Sequence, residues 1–153
     1  MVWTWGLVAS NSYFLLQIIT VILLFSIALS DVSQRKVPNI FLLLLLSVCV
    51  VVTPFSLHSF LVGITIVVFG LVAFHCRWLG AGDSKLLAIC AYASLEQWYW
   101  LLLKTALLGG VLSVAYWLFN YFALRGVIAA KPQTTVPYAV AICIAATTTI
   151  HYM

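Results

Sequence analysis

The chain has 153 residues, of which 65% are hydrophobic and only 7% charged, with a formal net charge of +4 and a mean hydropathy of +1.19. Soluble domains carry about a quarter charged residues, so a soluble globular fold is excluded. The seven basic residues are scattered over several loops, which also excludes a nucleic-acid-binding patch. The composition fits an all-α integral membrane protein: one transmembrane domain over residues 1–153, with the lipid bilayer as its surroundings.

Six apolar segments follow one another along the chain, against a requirement of roughly 20 apolar residues for a spanning helix and fewer where neighbours shelter it. The first runs from about Ser12 to Ser30. Nothing before Asp31 is charged, so the basic stretch of a secretory signal is missing, and this segment is expected to stay as a helix. The polar stretch Asp31-Val32-Ser33-Gln34-Arg35-Lys36-Val37-Pro38-Asn39 follows. Pro38 disfavours helical geometry at Val37 and suits the opening of a second helix, Asn39 to Val52, which Thr53-Pro54 closes. A third segment spans about Ser59 to Cys76, and a short fourth about Ser84 to Leu95. The fifth covers about Gln97 to Leu124 and the sixth about Val136 to Tyr152, which predicts a six-helix bundle.

Arg35 and Lys36, Arg77 and Lys85, and Arg125 and Lys131 occupy three loops on one side of that bundle, with Lys104 towards the other. The positive-inside rule makes the shared side cytoplasmic and puts both termini outside. Trp3, Trp5, Trp98, Tyr99 and Trp100 then form an aromatic belt at the outer interface. Cys49, Cys76, Cys90 and Cys143 lack paired spacing and read as small apolar packing residues, while His58, His75 and His151 have no helical i, i+4 partner. No metal site is expected.

Only three residues are acidic, and two of them, Asp31 and Asp83, fall on the same cytoplasmic side. A carboxylate in so apolar a chain marks a candidate functional site, and two that meet can do acid–base hydrolysis without a metal. Each cluster also has a plain explanation. The first is satisfied by a polar turn in which Arg35 and Lys36 anchor topology. The second, Trp78-Leu79-Gly80-Ala81-Gly82-Asp83-Ser84-Lys85, is satisfied by Asp83 as the N-cap of the fourth helix, after glycines that let the backbone turn and approach closely. Lys85 fits two roles, steadying the carboxylates or snorkelling to water. Asp31 lies at a helix C-terminus, where the dipole disfavours negative charge, and Asp83 at an N-terminus, where it is favoured. Asp31 is therefore expected to hold a shared proton and Asp83 to act as base.

At these residues the chain resembles the type IV prepilin leader peptidases, a family of membrane aspartic proteases. An aspartate followed by a basic residue and Ile/Val-Pro-Asn is matched by Asp31 with Arg35, Lys36, Val37, Pro38 and Asn39. The second motif, G-x-G-D-x-K, is matched by Gly80, Gly82, Asp83 and Lys85, and the stretch from Lys131 to Val136-Pro137-Tyr138-Ala139 is similar to the family's last helix entry. The resemblance implies catalytic roles for Asp31 and Asp83, supporting roles for the other motif residues, and no cofactor. The implied reaction removes a short basic leader from a prepilin or pseudopilin, just before its apolar helix, at the cytoplasmic face of a bacterial inner membrane. Long bifunctional members carry an extra cytoplasmic region with paired cysteines and also methylate the new N-terminus. Here only eight residues separate Asp31 from Ile40, so the chain resembles the short, peptidase-only branch associated with tight-adherence (Flp-type) pili. The competing class is a non-enzymatic membrane component, such as a transporter subunit or pilus-assembly scaffold, although the helices carry no polar stripe and show no pair of broken inverted repeats.

Overall fold

The computed structural model describes residues 2–76, 80–124 and 136–150, with side chains described from residue 14 onward except that of Leu124. Arg77, Trp78, Leu79, Arg125, Lys131, His151 and Tyr152 lie outside the described residues, as do the side chains of Trp3 and Trp5. Six α-helices make up the described chain: α1 (Val2–Gln34), α2 (Asn39–Val52), α3 (Leu57–His75), α4 (Ala81–Ala93), α5 (Trp98–Leu124) and α6 (Tyr138–Thr149), with a 3₁₀ turn at Leu95–Gln97 before α5. There is no strand among the described residues. Three stretches are long and apolar enough to cross a membrane: Phe14–Gln34, Leu57–His75 and Leu95–Ala123. α2 and α6 are apolar but shorter, and α4 has only 13 residues.

Side-chain size sorts these helices into an inside and an outside. α4 packs against α2, α3, α5 and α6, and its Ser84, Ala88, Cys90, Ala91 and Ala93 are buried. α6 buries Ala139, Ala141, Cys143, Ala145 and Ala146 in the same way. Small residues let helix backbones approach closely, which is how helices bind one another where no hydrophobic effect separates them from their solvent. A Cβ on Gly70 of α3 would run into the Ser84 side chain. The long helices instead turn large side chains outward, with Phe25 64%, Phe69 71%, Val111 68% and Trp117 66% exposed. Such a surface suits acyl chains and not water. The expected cysteine packing holds for Cys49, Cys90 and Cys143, whereas Cys76, at the end of α3, is exposed.

At the end of the bundle where α4 runs into α5, Trp98 meets Tyr99 edge to face and Tyr99 meets Trp100 at a tilt. Tyr99 and Trp100 are exposed, as a belt requires, but Trp98 turns inward onto the core. Lys104, read from sequence as a topology charge, does more. Its Nζ donates to the Thr148 carbonyl at 2.9 Å and meets the hydroxyls of Thr148 and Thr149 at 3.3 and 3.1 Å. A cation thus caps the C-terminus of α6, where the helix dipole favours it. Lys104→Met is expected to lower stability by about 1–3 kcal/mol, read as an earlier thermal unfolding in detergent. An unchanged transition would remove this capping role.

Candidate active site

At the opposite end, α1 stays helical through Asp31 and ends three residues later, at Gln34. Arg35 adopts φ 55, a left-handed conformation that costs a residue bearing a Cβ roughly 1–2 kcal/mol. Its N–H donates to the Asp31 carbonyl at 3.0 Å, and the Ser30 hydroxyl donates to the Lys36 carbonyl at 3.1 Å. Pro38, at φ −65, is the N-cap of α2, so proline sets the start of that helix as its sequence position suggests. The turn brings Val37 onto α4. A Cβ on Gly82 would lie 2.9 Å from the Val37 Cβ, so glycine is needed here for close approach. One further contact joins the two motifs: Lys85 Nζ donates to Asn39 Oδ1 at 3.5 Å.

Asp83 is not the N-cap of α4. Gly80 is, with Ala81 opening the helix, so Asp83 is its third residue. Its carboxylate reaches back to accept the Gly80 N–H, the reciprocal half of a capping box. A Cβ on Gly80 would stand 3.0 Å from Asp83 Oδ2. Glycine at 80 and 82 therefore leaves room for Asp83 on one side and Val37 on the other. Gly82→Ala is expected to keep the fold while displacing Val37, an overpacking cost of about 1–3 kcal/mol. Any activity that depends on the two motifs meeting should fall roughly tenfold, since about 1.4 kcal/mol in a barrier is tenfold in rate. The rate per folded molecule is the measurement, and wild-type turnover would show that this contact is dispensable.

Asp31 is buried, 7% exposed, and its Oδ2 accepts the backbone N–H of Ala139 at 3.1 Å. Ala139 is in the first turn of α6, a helix whose N-cap is Pro137 and which has no capping side chain of its own. The carboxylate of a distant helix supplies the missing acceptor. Tyr138, beside it, lies so close to α5 that a Cβ on Gly109 would meet its ring. Asp31 and Asp83 thus sit at the N-termini of two different helices, α6 and α4, and the charge of Asp31 acts on Asp83. Both act on Cys143, one helical turn beyond Ala139. Three elements converge on one buried polar point.

Helix dipoles alone do not divide the roles of the carboxylates, because burial acts on both. Burial and, next, the neighbouring Asp31 charge together push Asp83 up to about 6, with the Gly80 amide only partly offsetting them. Asp31 has the Ala139 amide as its hydrogen-bond donor and the Arg35 guanidinium as the charge that acts on it. The dipole of α1, from which the sequence argument began, is answered by the N-terminus of α6. Lys85 is not among the groups acting on either carboxylate. Two residues along a helix put it about 200° round α4 from Asp83, where with Asn39 it forms the polar end of an apolar groove of about 740 Å³ between α2, α3 and α4. The lining of that groove suits lipid contact, and the groove is separate from the meeting point of the carboxylates.

An apolar helical bundle that brings a buried and a half-buried carboxylate together defines a class, that of membrane proteins equipped for acid–base hydrolysis. The particular family follows from comparison. The model of the type IV leader peptidase family matches residues 18–123, and the chain belongs to that family, which makes it a peptidase of the aspartic type. No curated protein and no solved structure matches it. The match includes both aspartates and ends before α6, so the Ala139 amide lies beyond it. Sequence reasoning noted Pro137-Tyr138-Ala139 but gave it no partner. It missed Tyr116 altogether, although Arg35 Nη2 donates to its hydroxyl at 3.5 Å.

Proposed function

We propose that this chain is a membrane aspartic endopeptidase that removes the basic leader peptide of type IV (Flp-type) prepilins or pseudopilins at the cytoplasmic face of a bacterial inner membrane. In this reading all six helices form one transmembrane domain with both termini outside, and the enzyme does not methylate its product. The observation that carries it is the pairing of Asp31 and Asp83 at the helix ends beside the cationic turn of Arg35 and Lys36. A substrate whose scissile bond lies at the start of its apolar helix presents that bond at this level of the membrane.

Asp31 is the base in this mechanism, and Asp83 holds the shared proton. Asp31 takes a proton from water as the water oxygen attacks the scissile carbonyl, while the Asp83 proton hydrogen-bonds the carbonyl oxygen as negative charge develops there. When the tetrahedral species collapses, the C–N bond breaks and the amine nitrogen takes up a proton from the pair. The products are the leader's carboxylate and the free amino terminus of the mature pilin.

Co-expression with a prepilin tests the reading. The wild type should convert it to a shorter species whose N-terminal mass matches an unmethylated mature pilin. A prepilin that is cut by other family members and stays intact here would defeat the proposal, and a methylated product would defeat its peptidase-only part.

A further inference from the structure

Arg35 and Lys36 read alike in sequence, as two loop cations that hold topology. The structure separates them. Lys36 is exposed, whereas Arg35 is half-buried and folds back into the bundle. Its guanidinium lies over the Tyr116 ring, 5.5 Å from the centroid, and Nη2 donates to the Tyr116 hydroxyl at 3.5 Å. Arginine is the cation most often found in such a stack. The backbone at Arg35 is left-handed, with φ 55, a conformation that Cβ contact with the following carbonyl disfavours. Glycine would adopt it without strain. A side chain that served only to stay in the headgroup region gives no reason for arginine in that conformation.

The clamp closes a ring of contacts. α1 packs on α2 and α6, and α5 packs on α6. Tyr138 of α6 lies against Gly109 of α5, and the next residue, Ala139, donates to Asp31 of α1. Arg35, one turn after Asp31, returns to α5 at Tyr116. Gly109 and Tyr116 are seven residues apart and so share one face of α5. The start of α6 is held between Asp31 and that face. Arg35, just past the end of α1, and the Ala139 amide of α6 act on Asp31, and Asp31 in turn acts on Asp83 of α4 and Cys143 of α6. Tyr116 reaches it from α5 through Arg35.

We propose that Arg35 and Tyr116 form a positioning clamp that fixes the Asp31 carboxylate against the N-terminus of α6 and keeps a guanidinium charge beside it. The inference rests on the reading of Asp31 and Asp83 as the catalytic pair, and neither clamp residue is itself catalytic.

Tyr116→Phe, Tyr116→Leu, Arg35→Lys and Arg35→Gln test it with two readouts in detergent. The first is prepilin cleavage per folded molecule across pH. Tyr116→Phe keeps the ring face and should stay within about threefold of wild type. Tyr116→Leu and Arg35→Gln should lose roughly tenfold in kcat with KM unchanged, and Arg35→Gln should move the acid limb of the profile to higher pH. Arg35→Lys should lower the rate but leave that limb in place. The second readout needs no substrate: dicyclohexylcarbodiimide labelling of Asp31, followed by mass spectrometry, should be at least threefold faster in Tyr116→Leu. If Tyr116→Leu and Arg35→Gln keep wild-type kcat, acid limb and labelling rate, Arg35 is a topology anchor and the clamp is wrong. If wild type leaves the prepilin intact, the catalytic reading fails, and the labelling rate alone still decides whether the clamp holds Asp31.

Discussion

Replacing either Asp31 or Asp83 by alanine is expected to reduce prepilin cleavage by on the order of 10⁴-fold, because removing one member of an acid–base unit costs nearly as much as removing both. The two variants should differ in stability. Asp31 is buried, and its partner, the Ala139 amide, is fully so. Asp31→Ala leaves a buried N–H with no acceptor, at a cost of about 1–3 kcal/mol. Gly80, whose amide Asp83 accepts, is exposed, so water replaces the carboxylate in Asp83→Ala and little is lost. Asp31→Asn keeps an acceptor oxygen at the same place and should fold like wild type while remaining inactive. Thermal unfolding in detergent, measured beside cleavage, separates these effects. Wild-type cleavage by either alanine variant would remove the pair from the mechanism, and equal stability of Asp31→Ala and Asp31→Asn would remove the capping role of Asp31.

Much of this arrangement is legible in the sequence, for identifiable reasons. The bounds of α2, Asn39–Val52, coincide with those expected, because Pro38 and Thr53-Pro54 punctuate both ends. The starts and stops of α1 and α4 are displaced, because hydropathy reports where the apolar run ends and not where hydrogen bonding does. α1 continues through Asp31 to Gln34 and α4 opens at Ala81, so Asp83 moves from the N-cap to the third helical position. That shift matters chemically, since it turns the carboxylate back onto Gly80. The bond from Ala139 to Asp31 joins residues 108 apart in sequence, and no periodicity encodes it. The one local hint is that α6 begins after a proline without Ser, Thr, Asp or Asn at its N-cap and so needs an acceptor from elsewhere. Tyr116 carries no signal at all. It is one of many aromatics in α5 and is singled out only by where Arg35 points.

The raised Asp83 carboxyl ties stability and activity together through pH. Its folded value is about 6 against 3.8 for an ordinary carboxyl, with burial the largest cause and the Asp31 charge the second. A group raised on folding binds its proton more tightly in the folded state. Its contribution to stability is therefore complete below the unfolded value and is lost as pH rises through the folded one. At neutral pH the ionised Asp83 is a liability. Asp83→Asn has nearly the same shape, keeps an acceptor for the Gly80 amide and never ionises. It should unfold at a higher temperature than wild type above about pH 7, with an advantage that shrinks through pH 6 and is gone near pH 4. In the proposed mechanism the proton whose loss weakens the fold is also the one that polarises the scissile carbonyl. Wild-type kcat/KM should accordingly fall about tenfold per pH unit above the alkaline limb, which belongs to the coupled pair and lies near 6. A rate that is flat or rising between about pH 6 and 8, or an Asp83→Asn variant no more stable than wild type at neutral pH, would show that Asp83 is ionised in the working enzyme. The role of proton donor would then pass to Asp31.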